Sequence, residues 1–86
     1  TYPVGLEQSV KAVQSAMQQS QIQITDTRMD ATRAEIRGTR TSDGAPVSIN
    51  LTPLAPKSTK AEIRVGKLGD ENAAKVLNRQ IFEGLK

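Results

Sequence analysis

Ala61-Glu62-Ile63-Arg64-Val65-Gly66-Lys67-Leu68-Gly69-Asp70-Glu71-Asn72 is a strand running into a helix. Ala61, Ile63 and Val65 alternate with Glu62, Arg64 and Gly66, the period-two pattern of a strand buried on one face. Gly66 and Gly69 allow a tight turn, and Asp70 is placed to cap the helix that follows. The junction decides the architecture, because it fixes how the last strand hands over to a covering helix.

Upstream, residues 58–66 are the fourth of four predicted strands. Residues 46–52 form the third, with Val47, Ile49 and Leu51 inward and Ser48, Asn50 and Thr52 outward; Pro53 and Pro56 are expected to end it and bracket a loop. Thr41-Ser42-Asp43-Gly44 is a hairpin signal. Residues 32–40 form the second strand, with Ala34, Ile36 and Gly38 inward and Arg33, Glu35 and Arg37 outward. Met29-Asp30-Ala31 is a turn, and residues 21–28 form the first strand, with Ile22 and Ile24 inward. Residues 6–19 are an amphipathic helix, since Leu6, Val10, Val13 and Met17 recur at helical spacing. Downstream, residues 70–85 are a second helix, with Ala73, Ala74, Leu77, Ile81 and Leu85 near one face. One apolar face per strand and one stripe per helix predict an α+β fold: a two-layer sandwich in the order helix, four-stranded antiparallel meander, helix. Both helices lie on one face of the sheet. Its 86 residues make a single domain spanning 1–86.

Composition narrows the chemistry. Tyr2 and Phe82 are the only aromatics, so the core is aliphatic and stacking platforms for bases are nearly absent. The chain lacks cysteine and histidine, and with them a thiol nucleophile, the commonest general base and the commonest transition-metal ligands. No cofactor or metal is expected, and the chain reads as non-enzymatic. Asp26, Asp30, Glu35 and Glu62 are candidate paired carboxylates, but Glu35 and Glu62 each sit between basic neighbours, which favours surface ion pairing. No apolar run approaches the roughly 18–20 residues of a membrane-spanning helix. The chain opens at Thr1 rather than Met, so it is expected to be a processed or trimmed piece of a longer protein.

The net charge of +3 is concentrated between residues 21 and 68, where eight basic residues face five acidic ones. The acidic residues are interspersed, so a solvated sheet face with cross-strand ion pairs is the better reading, and nucleic acid is not an expected partner. Arg33, Glu35, Arg37, Lys60, Glu62 and Arg64 then form the candidate partner-facing surface. Gly66-Lys67-Leu68-Gly69 before a helix invites a phosphate-loop reading, but it lacks the Walker and dinucleotide spacings, and Asp70 and Glu71 bring carboxylates where a phosphate would sit. Gly66, Gly69 and Asp70 are therefore read as a structural turn and cap. Ala12, Ala16, Ala34, Gly38, Ala61, Ala73 and Ala74 put small residues at inward positions. They permit close packing, the default, or leave a groove for an apolar ligand.

The run from Ile63 to Asp70, I-R-V-G-x-x-G-D, continues through Leu77-Asn78-Arg79-Gln80-Ile81. Together with the Asp43-Gly44 hairpin and the Val47-Ser48-Ile49 strand, it resembles a family of small bacterial envelope lipoproteins known only as a domain of unknown function. The resemblance extends over nearly the whole chain. It implies a signal peptide and lipobox cysteine upstream, a periplasmic, lipid-anchored location, and membrane contact only through that anchor. It carries no catalytic residues. The resulting expectation is a monomeric protein-interaction or envelope-support module whose partner is an envelope protein or lipid. The alternative is a carrier of a small apolar ligand or lipid between helices and sheet.

Overall fold

The computed structural model describes residues 2–66 and 69–85. Helix α1 (Leu6–Gln19) is followed by strands β1 (Ile22–Met29), β2 (Ala34–Arg40), β3 (Pro46–Ala55) and β4 (Ser58–Val65), then helix α2 (Glu71–Gly84). The four strands form one antiparallel sheet in the order β1-β2-β3-β4. The α+β order read from the sequence is the order observed, with both helices packed together over the sheet.

The helices cover the sheet unequally. α1 touches all four strands, whereas α2 rests on β4 and on α1. Val10, Val13, Ala16 and Met17 of α1 are buried against Ile36, Val47, Ile49 and Leu51, and α2 contributes Leu77 and Ile81 to the same core. Gly38 sits under α1 for a steric reason. A Cβ there would lie 2.6 Å from the Gln23 carbonyl oxygen, 2.8 Å from Met17 Cε and 2.9 Å from Ile22 Cγ2. The methionine methyl takes the space a side chain would need.

Beyond one-residue shifts at the ends of β1, β4 and α2, three features differ from the sequence reading. β3 does not stop at Pro53 but continues through it to Ala55. The hydrogen-bond pattern explains this. The Thr59 N–H and C=O bond to Tyr2, on the flank away from β3. Thr59, opposite Pro53, thus belongs to a pair that exchanges no ladder bonds. The proline nitrogen faces the β2 side, where β2 has already ended at the Ala34–Leu51 pair. A proline costs nothing at such a position. The expected loop contracts to a turn at Pro56 and Lys57. β2 begins at Ala34, leaving Arg33 in the preceding turn, where Asp30 Oδ1 accepts from the backbone N–H groups of Thr32 and Arg33. β1 carries a bulge between Ile24 and Asp26, so its simple alternation fails and Ile24 is only half-buried.

The N-terminal residues form a strap that the sequence does not advertise. Tyr2 is fully buried and makes an antiparallel bridge to Thr59, with N–H···O distances of 2.7 and 3.0 Å. Its hydroxyl donates to Asn78 Oδ1 at 2.7 Å, and its ring meets Phe82 edge-on, with centroids 5.3 Å apart. Thr59, also buried, donates its hydroxyl to the Val4 carbonyl at 2.8 Å.

Candidate interaction surfaces

The sheet face opposite the helices carries the charges in ordered rows. Strand register aligns Asp26, Arg37, Ser48 and Arg64 in one row and Arg28, Glu35, Asn50 and Glu62 in the next. Signs alternate along each strand as well, giving the ion pairs Arg28–Asp26 (3.1 Å), Arg37–Glu35 (2.6 Å) and Lys60–Glu62 (3.5 Å). Neutral Ser48 and Asn50 separate the two charged edges. Five of the six candidate surface residues, Glu35, Arg37, Lys60, Glu62 and Arg64, therefore share this face. Arg33 stands apart in the turn at its end. A face whose charges compensate one another projects little field and attracts polyanions weakly.

The strand-to-helix junction is built by geometry at both glycines. Gly66 and Gly69 have φ values of +79° and +73°, where side-chain-bearing residues are strained. The Asp70 N–H donates to the Val65 carbonyl at 2.6 Å, and Asp70 Oδ1 accepts from the Ala73 N–H at 3.1 Å, capping α2. A carboxylate thus already occupies the helix N-terminus. Lys67 and Leu68 of the phosphate-loop reading lie outside the described residues.

Two hollows flank α2. One, of about 380 Å³, lies between the helix and the end of the sheet, walled by Ile22, Val65, Ala73, Val76 and Leu77 with Arg40 at the rim. The other, of about 590 Å³, runs beside β4 past the start of α2, with Ile63 and Ala74 as its apolar floor and Glu62, Arg64, Asp70 and Glu71 around it. Ala73, beside the first hollow, and Ala74, beside the second, are only half-buried, as is Ala61 in β4, whereas Ala12 and Ala16 of α1 and Ala34 beneath it are buried.

The titrating groups that shift all move away from neutrality. The Arg40 guanidinium, bonded through Nε (3.0 Å) and Nη2 (2.6 Å), lowers the Asp43 carboxyl to about 2, and Asp43 in turn raises Arg40. Hydrogen bonds from the Thr32 hydroxyl and backbone lower Asp30. Burial raises the Tyr2 phenol to about 12. A general acid or base at physiological pH needs the opposite tuning. Among the described residues, no three acidic side chains gather as metal ligands, and no helix is long and apolar enough to cross a membrane.

Sequence reasoning missed Tyr2 altogether. Its partners Thr59, Asn78 and Phe82 are far away along the chain, and no local pattern marks them. The lone buried-type aromatic ahead of an amphipathic helix was the only signal present.

No curated protein matches the chain. A family model described as a protein of unknown function, DUF3568, matches residues 1–83, and the chain, with its meander sheet under two helices, belongs to that family.

Proposed function

We propose that this chain is a non-enzymatic, monomeric interaction domain of a bacterial envelope lipoprotein, and that it binds another envelope protein through the uncovered sheet face. The observation that carries this reading is the face itself: a whole side of a four-stranded sheet left bare by the helices, with paired charges flanking a neutral Ser48–Asn50 centre. Such a surface suits a partner of mixed polarity rather than a polyanion. The resemblance of the Ile63–Asp70 run to envelope lipoproteins supports the periplasmic, lipid-anchored location. Cross-linked pull-down from intact envelopes tests it. One partner enriched by the native domain, and lost with Arg37→Glu at unchanged folded stability, is the expected outcome. Equal enrichment by both proteins sinks the assignment of the face.

A second reading rests on the 380 Å³ hollow beside α2, whose walls are mostly apolar, with Ser20, Arg40 and Gln80 also lining it. There the domain carries a small apolar ligand or lipid chain. Thermal shift with long-chain fatty acids checks it: a raised melting temperature, abolished by Ala73→Trp filling the hollow, supports the carrier, and an unchanged melt removes it.

A further inference from the structure

We propose that the open edge of β4 accepts an extended, basic–apolar peptide segment of a partner as a fifth strand, lying in the cleft between β4 and α2. This rests on the interaction-domain reading and moves the recognition from the sheet face to the sheet edge.

The hydrogen-bond directions carry the argument. Tyr2 bonds the N–H and C=O of Thr59 on the flank away from β3. Alternation along a strand then turns the backbone groups of Ala61, Ile63 and Val65 to the same flank. Two further bonds agree. The Val65 carbonyl accepts from the Asp70 N–H on that flank, and Gly66, one residue out of phase, donates back to Pro46 at the start of β3. Among the described residues, no bond occupies the outward N–H and C=O of Ala61 and Ile63. They form a strand edge waiting for a ladder.

The other edge of the sheet differs. β1 is bulged between Ile24 and Asp26, which breaks the regular spacing an added strand needs. β4 pairs without irregularity from Thr59 to Val65. β4 also has α2 packed beside it, with the cleft of about 590 Å³ between them. Edge strand plus helix wall is the arrangement in which main-chain bonds give affinity and side-chain contacts give selectivity. Tyr2 shows that this edge takes an added residue in antiparallel sense.

The chemistry of the segment follows from the walls. Alternate side chains of an added strand face Ile63 and Ala74, so they are apolar and small or β-branched. Around them, among the described residues, stand the carboxylates of Asp70, Glu71 and Glu62, the last paired with Lys60 at 3.5 Å, and the cation Arg64, which leaves the border acidic overall. The remaining alternate side chains are therefore Lys or Arg.

A seven-residue peptide alternating valine and lysine is the probe, with a valine–glutamate peptide for comparison. Amide NMR and hydrogen exchange on the 86-residue chain are the readouts. The expected result is slowed exchange at the Ala61 and Ile63 amides with the lysine peptide, and binding at least tenfold weaker with the glutamate peptide. Ala61→Pro removes one outward donor without removing a β3 ladder bond, and it should abolish binding. Glu71→Lys, which leaves the edge intact, should reverse the peptide preference and covers the case in which the proline variant does not fold. Protection of Ala61 and Ile63 before any peptide is added means that the chain itself or a second copy closes the edge, and it overturns the proposal. So does binding that perturbs only the Glu35 and Arg37 region, although that outcome keeps the sheet face as the docking surface. Loss of partner capture with Arg37→Glu alongside silent β4 amides separates the two in the same way.

Discussion

Under α1 the small residues are covered; beside α2 they are not. Ala34 and Ala16 are buried, and Gly38 lies against Met17, itself fully buried. Ala61, Ala73 and Ala74 are only half-buried against the core, and Ala73 and Ala74 border hollows. The same residue type thus gives close packing in one half and open space in the other. What decides is whether the facing layer supplies volume to fill the gap. The two halves also differ in how their helices are held. α1 starts at Gly5 with no side-chain cap and depends on its buried face. α2 buries only Leu77 and Ile81, and it is held at one end by Asp70 and near the other by Tyr2.

The comparison breaks most readily at Tyr2. Truncation to Ala removes a buried aromatic and is expected to cost about 3–5 kcal/mol, by the usual range for large aromatics. Native-state hydrogen exchange should show α2 amides losing protection before those of α1; simultaneous loss would mean that the two halves are one unit. Tyr2→Phe removes only the bond to Asn78, about 1 kcal/mol. It also isolates a pH effect. Burial lifts the phenol from its ordinary value near 10 to about 12, so the neutral form is favoured in the fold. The resulting stability is fully present below about pH 10 and is lost as pH rises through about 12. The stability difference between native protein and Tyr2→Phe, measured by denaturant melts, should shrink across that window.

Gly38→Ala tests the packed half. A methyl there meets Gln23 and Met17, and overpacking of this kind costs about 1–3 kcal/mol. Combined with Met17→Ala, the loss should be less than the sum of the single losses, because one of the clashing groups has gone. Strict additivity in a double-mutant cycle would falsify the Met17–Gly38 contact as the cause.

The cap is a local effect. Asp70→Ala should cost about 0.5–2 kcal/mol, and Asp70→Asn less, since asparagine also caps. If added phosphate stabilises the Asn variant in the same melts, the junction is an anion site rather than a cap.

Periodicity made most of the fold readable. Val47, Ile49 and Leu51 alternate strictly and are all buried, and Val10, Val13 and Met17 of the α1 stripe are buried where their spacing places them, with Leu6 half-buried at the helix start. The cap was readable too, because capping is a local event and Asp70 lies next to its donors. Pro53 misled because a proline's tolerance depends on which flank of the strand still has a neighbour, and that is a property of β2 rather than of β3. The bulge in β1 and the role of Tyr2 were out of reach for the same reason: both are settled by partners distant in the chain. The candidate face was legible as alternating charge, whereas the open edge of β4 involves backbone groups, which the identity of side chains does not reveal.

The Tyr2–Asn78 bond spans 76 positions and joins the two ends of the chain. In kinetic terms it closes one of the most expensive loops among the described residues, and such contacts gain nothing until the sheet and α1 are in place. Tyr2 therefore belongs after the folding barrier. Tyr2→Phe should accelerate unfolding while leaving the folding arm of the chevron where it is, and a slowed folding arm would place the strap in the transition state. The strap governs how long the folded molecule lasts rather than how quickly it forms.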